Sequence, residues 1–254
     1  MIYYRKANKV DYTLNMNNEH FRYLKNSYSK VGNETWLNSD FIQSNLDTSI
    51  NLFTKKSLKL QKPKPKNLEV YALLSGLSFS EKLCDKLMNF QKYISDIITD
   101  KLHYWVIPKN FGVEYCVFKW PDEKWDKSQS QIILNELSAL QSPHFKLIVE
   151  GIQINRDGCV IAKGFDDEGI IFKIRKHLKN KIPFLPNRQS GWAHIPLGRI
   201  LEPIGKKNFD ELRQFINKHS DDFIFSEKIN KIKFVHETRW YMEEKSIISE
   251  FLLK

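Results

Sequence analysis

The sequence is poor in cysteine and glycine and lacks the motifs built on them. Its three cysteines, Cys84, Cys116 and Cys159, form no close pair, which argues against a disulfide framework and against a zinc site. The ten glycines are scattered, and none begins a Gly-Lys-Ser/Thr phosphate loop or a Gly-x-Ser-x-Gly nucleophile turn. We therefore expect no metal and no cofactor.

Long apolar segments are also missing. The longest apolar runs, such as residues 70–74, fall far short of the roughly 20 residues that a membrane-spanning helix needs. Residues 1–6 contain no continuous apolar stretch of the kind found in a secretory signal. Together with the sparse cysteines, this predicts a cytoplasmic protein with no membrane partner.

Positive charge is in excess. Lysine and arginine number 40 against 30 acidic residues, which gives a formal net charge of +10. Such a surface attracts polyanions, and the nucleic acid backbone is the most abundant polyanion in a cell. We expect RNA or a nucleotide as the partner. The competing interpretation is a general lysine-rich composition, since Asn and Ile are plentiful as well.

Residues 1–67 differ from the rest of the chain. They carry twelve Lys or Arg against five Asp or Glu and show no long regular period, with short helices expected near residues 19–24 and 40–42. They end in the Lys-Pro-Lys-Pro-Lys run of residues 62–66, which predicts an extended basic linker because alternating prolines exclude helix. We place a domain boundary there, between a basic extension (1–67) and residues 68–254. The aromatic residues Trp36, Phe41 and Phe53 indicate that the extension packs somewhere.

Residues 68–254 show alternating strand and helix patterns. Ser80 is a predicted helix cap, and residues 155–158 are a predicted hairpin turn. Strands are expected over residues 68–74, 104–107, 113–120, 145–154, 159–162, 193–201, 229–241 and 247–253. Helices are expected after Ser80, around residues 132–140, from Asp166 onward and over residues 209–216. This order predicts an α+β fold, a mostly antiparallel sheet sandwich with flanking helices.

Three segments carry a resemblance to a known family. They are the opening strand of residues 68–73, the run of residues 105–108 that leads into 113–118, and the Trp-Ala-His-Ile-Pro-Leu-Gly-Arg run of residues 192–199. In this order they resemble the 2H phosphoesterase superfamily, which includes bacterial 2′-5′ RNA ligase-like proteins and cyclic phosphodiesterases. The resemblance covers residues 68–254 and implies a two-lobed sheet.

The resemblance also implies a mechanism. In that superfamily two His-x-Thr/Ser motifs lie on adjacent strands, and period-two alternation directs both side chains of a motif to one face. One histidine acts as base and the other as acid on a phosphodiester, while the hydroxyls hold phosphoryl oxygens. No metal is required by this scheme.

The motifs carry over to this sequence in part. His194 matches the histidine of the second motif, but Pro196 replaces its hydroxyl residue. The first motif falls near residues 115–117, which contain no histidine. Tyr115 is the polar candidate there, although a reference pKa near about 10 makes tyrosine a poor base at neutral pH.

A literal His-x-Thr match occurs elsewhere, at His236 and Thr238. Both residues lie on a predicted strand and would share a face, so His236 is an alternative partner for His194. The family's second motif comes earlier in the chain, which favours His194 for that role, and a chance match is the competing explanation. Lys119, Arg199 and Arg239 are the candidate phosphate contacts.

Two functions follow as hypotheses. The first is a 2H-like phosphoesterase that acts on RNA ends or on cyclic or 2′-5′-linked nucleotides by metal-independent acid-base catalysis. The second is a catalytically degenerate module of the same fold that binds RNA or a nucleotide without hydrolysis. A different α+β sandwich is the alternative for the fold, and the sequence leaves the oligomeric state open.

Overall fold

The computed structural model describes residues 19–254. Residues 1–18, which contain the start of the predicted extension and the segment tested for a secretory signal, lie outside the described residues. The helices are α1 (Glu19–Thr35), α2 (Gln43–Ile50), α3 (Lys55–Lys59), α4 (Glu81–Ile98), α5 (Lys127–Ala139), α6 (Ile170–Lys181) and α7 (Lys206–Lys218). The strands are β1 (Asn67–Gly76), β2 (His103–Trp105), β3 (Gly112–Lys119), β4 (Phe145–Ile154), β5 (Cys159–Asp166), β6 (Ile195–Ile200), β7 (Phe223–Ile229), β8 (Lys231–Arg239) and β9 (Glu244–Leu252). No helix within this range is long and apolar enough to cross a lipid bilayer.

The strands form two antiparallel sheets. One has four strands in the order β3-β1-β8-β9, and the other has five in the order β2-β6-β5-β4-β7. The helices cover the outer surfaces, and their apolar faces join one large core. A smaller apolar cluster lies on one face of the four-stranded sheet and contains Val70, Ala72, Leu74, Val117 and Val235. The predicted α+β fold with two lobes is confirmed.

Local sequence signals account for several element boundaries. The Ser80 hydroxyl accepts a hydrogen bond from the Leu83 amide and so caps α4, as predicted. The β4–β5 hairpin turns at Gly158, whose φ of +79° favours glycine. A Cβ at this position would lie 2.1 Å from the carbonyl oxygen of Ile200, so the turn also depends on the close approach of β6.

The residues before β1 pack against the rest of the chain. Tyr28 on α1 is fully buried, and its hydroxyl donates to the carbonyl oxygen of Gly164 and accepts from the Ala193 amide. Residues 62–66, expected to be a linker, are instead held in place, with Pro65 paired to Phe53 in a β-bridge. The domain boundary at residue 67 stays a prediction, but residues 19–66 share the main core.

The predicted strand over residues 229–241 corresponds to β8, Lys231–Arg239, but β7, the strand that precedes it, was not predicted. β7 ends at Ile229 and β8 begins at Lys231, and the two strands belong to different sheets. The chain passes from one sheet to the other at Asn230. Apolar residues continue on both sides of this position, so the sequence pattern does not mark the boundary between β7 and β8. Asp166 also ends β5 rather than beginning a helix, and its carboxylate accepts from the Ile171 amide in the first turn of α6.

A partly buried arginine joins the two sheets. Arg175 lies on α6 and donates from Nε to the Tyr115 carbonyl oxygen at 2.8 Å. Its Nη2 donates to the carbonyl oxygens of Glu114 at 2.8 Å and of Trp192 at 2.6 Å. Glu114 and Tyr115 belong to the edge strand β3, while Trp192 lies in the segment that leads into β6 of the other sheet. One guanidinium therefore satisfies carbonyl groups from both sheets.

The Arg175→Met variant is expected to lose about 2–4 kcal/mol of unfolding free energy, because it leaves three carbonyl groups without their charged donor. Urea denaturation followed by circular dichroism measures this loss. Arg213→Met, which replaces an exposed arginine on α7, is the matched control and should change stability little. Equal losses in the two variants would contradict the bridging role of Arg175.

Candidate functional site

A cavity of about 160 Å³ lies between the two sheets. The four-stranded sheet contributes Glu114 from β3 and Glu237 from β8, and the five-stranded side contributes His194 and Pro196. The other lining residues are Leu74, Val106, Asn110, Gly112, Trp240, Tyr241 and Met242. Two carboxyls, one imidazole and the phenol of Tyr241 thus line one small and largely apolar space.

A β-bulge determines which residue of β3 faces this cavity. Leu73 pairs with Cys116 and Leu74 pairs with Glu114, so Tyr115 is an extra residue in β3. Beyond the bulge the alternation of faces is reversed. Glu114, rather than Tyr115, therefore lies on the same side of the sheet as Val117.

The Glu114 carboxyl lies in an environment that favours its neutral form. Burial raises the pKa of Glu114 to about 7, while Arg175 and Arg188 oppose the shift. Near neutral pH a large share of this carboxyl is protonated. A carboxylic acid in this state can donate a proton or a hydrogen bond.

Glu237 is more strongly perturbed. It is 4% exposed, and its Oε1 accepts from the Met242 amide at 2.8 Å. Burial raises the pKa of Glu237 to about 8, and the nearby Glu114 adds to the shift, while the Met242 amide and Lys245 oppose it. Glu237 is therefore mostly neutral at pH 7 and can donate a hydrogen bond into the cavity.

His194 has the opposite electrostatic preference. Burial lowers the pKa of His194 to about 4, and Arg199 and Arg175 add repulsion toward the charged form. Its Nδ1 atom is buried and has no hydrogen-bond partner among residues 19–254. The chain segment before it is held by the contacts of Trp192 with Arg175 and of Ala193 with Tyr28. The cavity thus contains a neutral imidazole and two carboxyls whose environment favours their protonated forms.

A sharp hairpin closes one side of the cavity. Tyr241 and Met242, in the turn between β8 and β9, have φ values of 63° and 56°, in the left-handed region that non-glycine residues rarely adopt. The Tyr241 hydroxyl accepts from Arg199 Nε at 2.6 Å, which fixes the turn against β6. Unusual backbone of this kind is concentrated at functional sites.

Comparisons with known proteins identify the architecture. No protein-family model matches the sequence, and no curated protein matches it. Among solved structures, E. coli LigT in its apo form superposes with a TM-score of 0.52 at 10% identity, over 74% of this chain and 99% of LigT. A structure described as a phosphoesterase gives a TM-score of 0.51 at 10% identity, over 74% of this chain and 99% of that one. A Thermus thermophilus protein gives 0.53 at 12% identity, over 73% of this chain and 97% of its own. All three are 2H phosphoesterases.

The chain has the 2H phosphoesterase fold. The resemblance of residues 68–254 to that superfamily is thereby confirmed at the level of the fold. At identities of 10–12%, the similarity shows only a shared architecture. The chemistry of the site must therefore be inferred from the residues of this chain.

Within the 2H fold, His194 lies in the cavity between the lobes, but Tyr115 does not. Tyr115 is 1% exposed and is not among the residues that line the cavity. Burial also raises the pKa of Tyr115 above its ordinary value, so it is unsuited to acid-base work at neutral pH. The expectation that Tyr115 faces the site is corrected by the bulge, which puts Glu114 there.

His236 and Thr238 do not meet His194. The His236 ring stacks on Tyr71 with centroids 4.3 Å apart, and its Nε2 lies 3.4 Å from a carboxylate oxygen of Glu69. The Thr238 hydroxyl donates to the Glu244 carbonyl oxygen. Neither residue lines the cavity, because the strand alternation that directs Glu237 inward directs its two neighbours to the other face.

The three predicted phosphate contacts are engaged elsewhere. Lys119 is 3% exposed and binds the carboxylate and carbonyl oxygens of Glu69. Arg199 pairs with Asp157 at 2.6 Å, and Arg239 pairs with Glu244 at 2.8 Å. None of the three lines the cavity. Glu114 and Glu237 were not predicted from the sequence, because the His-x-Thr/Ser motif contains only histidine and hydroxyl residues, although the two glutamates are the chain neighbours of Tyr115 and His236.

The raised pKa of Glu237 predicts a pH-dependent stability. A carboxyl whose folded pKa exceeds its unfolded value stabilises the fold fully below the unfolded pKa and loses that contribution as the pH rises through about 8. Relative to Glu237→Gln, the unfolding free energy of the wild type should therefore fall between about pH 5 and pH 8, by at most about 1.4 kcal/mol per pH unit.

Urea denaturation across this pH range measures the difference, and comparison with the variant cancels the opposite contribution of His194. Glu211→Gln, which replaces an exposed glutamate on α7, serves as the control and should follow the wild-type curve. A wild-type curve parallel to that of Glu237→Gln would show that the carboxyl titrates normally.

Proposed function

We propose that this protein is a metal-independent phosphodiesterase of RNA ends or of cyclic or 2′-5′-linked nucleotides, with His194 and Glu114 as its acid-base pair. The observation that supports the proposal is the shared cavity, in which an imidazole from one lobe faces a carboxyl from the other. The pair differs from the two histidines of the superfamily, but it supplies one proton acceptor and one proton donor. Environments that push two pKa values apart commonly mark such a pair.

The proposed reaction is a displacement at phosphorus. Neutral His194 takes the proton from an attacking hydroxyl or water as its oxygen bonds to phosphorus. The bond from phosphorus to the leaving oxygen breaks, and that oxygen receives the proton of Glu114. Protonated Glu237 donates a hydrogen bond to a non-bridging oxygen, a role that the missing hydroxyl at Pro196 would otherwise fill.

The two pKa values define a working range for this pair. His194 is neutral above about pH 4, and Glu114 is protonated below about pH 7. Both groups are in the required state only between these values. Keeping the carboxyls neutral also reduces their repulsion of an anionic substrate.

Two observations favour a second candidate, a module that binds a phosphate-bearing nucleotide without cleaving it. Pro196 cannot donate a hydrogen bond to a phosphoryl oxygen, since proline lacks both a hydroxyl and an amide hydrogen. The cavity of about 160 Å³ is also smaller than the roughly 300 Å³ of common ligand pockets. It is therefore better matched to a phosphate group than to a whole nucleotide.

Hydrolysis of a panel of 2′,3′-cyclic, 2′-5′ and 3′-5′ oligonucleotides tests the enzyme. His194→Ala and Glu114→Gln should each lower kcat by about 100-fold or more, since each removes a proton-transfer group. His236→Ala removes an imidazole outside the cavity and should retain activity. Loss of activity in His236→Ala together with retention in His194→Ala would overturn the assignment of the pair.

The pH dependence of kcat/KM provides an independent check. Wild-type activity should form a bell with limbs near pH 4 and pH 7, set by His194 and Glu114 respectively. In Glu114→Gln the limb near pH 7 should disappear from the residual activity, which leaves only the deprotonation of Glu237, whose pKa is about 8, to lower the rate at alkaline pH. No turnover of any substrate, with nucleotide binding that depends on His194, would favour the binding module instead.

A further inference from the structure

We propose that residues 55–66, here called the lysine loop, bind the sugar-phosphate backbone of a single-stranded nucleic acid whose end enters the cavity. The inference rests on the proposed function and adds to it, because it makes the substrate a polymer rather than a free mononucleotide. The loop contains Lys55, Lys56, Lys59, Lys62, Lys64 and Lys66.

The lysine loop has a defined conformation. Thr54 caps α3 through the Ser57 amide, and the Ser57 hydroxyl accepts from the Lys64 amide at 2.9 Å. The Thr54 amide donates to the Lys64 carbonyl oxygen at 3.0 Å, and the Lys66 amide donates to Leu52 at 2.8 Å. Its cationic groups are therefore presented from a fixed backbone, which lowers the entropy lost when a ligand binds.

The alternation of lysine and proline sorts the side chains by face. Pro65 is buried and pairs with the buried Phe53, while Lys62 and Lys64 are exposed and Lys66 is partly exposed. Side chains two residues apart on an extended chain repeat about every 7 Å. Pro65 thus anchors the segment, and the lysines form an outward row whose spacing is comparable with that of successive phosphates on an extended nucleic acid strand.

Among residues 19–254, no carboxylate neutralises the charge of this row. None of the six lysines takes part in an ion pair among residues 19–254. Lys119, Arg199 and Arg239, in contrast, are all held by carboxylates. A cluster of unpaired, ordered lysines is the electrostatic footprint expected for a polyanion.

The lysine loop lies next to the cavity. The Trp240 amide donates to the Lys66 carbonyl oxygen at 3.3 Å, and Trp240 itself lines the cavity. Arg239 donates from Nη1 to the Pro65 carbonyl oxygen at 2.9 Å. Phe53 stacks near Tyr241, another cavity residue, with centroids 6.2 Å apart. A single-stranded nucleic acid that binds along the lysines therefore reaches the cavity by passing over Trp240.

Aromatic and cationic groups at this rim indicate nucleic acid as the polyanion. The rings of Trp240 and Trp120 are 6.5 Å apart, and the Arg188 guanidinium lies 4.4 Å from the Trp120 ring centroid. Unpaired bases stack on such groups, whereas an anionic membrane would need the lysines alone. The row of lysines followed by a tryptophan rim and a phosphate-sized cavity fits a single strand entering by its end.

The test compares two variants in which five exposed lysines become glutamine. The loop variant changes Lys55, Lys56, Lys59, Lys62 and Lys64. The control variant changes five other exposed lysines, Lys92, Lys146, Lys207, Lys218 and Lys228. Both carry His194→Ala, which prevents cleavage, and circular dichroism verifies that both are folded. The probes are a labelled single-stranded RNA of about a dozen nucleotides, 2′,3′-cyclic AMP, and vesicles containing phosphatidylserine.

The loop variant should bind the RNA about 30-fold or more weaker than the control at about 50 mM salt. Its slope of log affinity against log salt concentration should be shallower by about 3. The affinity for 2′,3′-cyclic AMP should be equal in the two variants. Equal RNA affinities and slopes would overturn the proposal, and so would a loss confined to the vesicles. Assays with the unmodified site separate the two proposals: RNA binding through the loop without turnover of any substrate would reject the phosphodiesterase alone.

Discussion

The site depends on one interaction, the contact of Arg175 with carbonyl oxygens from both sheets. At the bulge of the edge strand β3, the guanidinium donates hydrogen bonds to two successive carbonyl oxygens, those of Glu114 and Tyr115. Its third bond, to Trp192, positions the segment that presents His194. The same residue therefore stabilises the backbone distortion that turns Glu114 inward and fixes the imidazole opposite it.

The electrostatics of the cavity follow from this arrangement. Burial between two sheets disfavours every charged form, so the carboxyls of Glu114 and Glu237 and the imidazole of His194 are all driven toward neutrality. The strong positive charge of the chain lies elsewhere, and much of it is in the lysine loop on residues that precede β1. Under the two proposals, attraction of an anion and proton transfer are divided between two neighbouring regions of the surface.

Local sequence determined much of the fold. The Ser80 cap, the hairpin turn at Gly158 and the strand β1 depend on neighbours a few positions away, so they were predicted from the sequence. The element order from residue 68 onward was sufficient to indicate the 2H fold, and the Trp-Ala-His-Ile-Pro-Leu context singled out His194. These features persist in the structure because they are set by short-range geometry and hydrophobic period.

Only the tertiary structure decided which polar groups share the cavity. The bulge that exchanges Tyr115 for Glu114 is defined by pairing with β1, and the register of β8 against β1 places His236 beside Tyr71, on the face opposite to that of Glu237. The change of sheet at Asn230 likewise depends on two separate pairing partners. A shift of a single residue reverses the face of every side chain beyond it, and that shift is set by contacts between segments far apart in the chain.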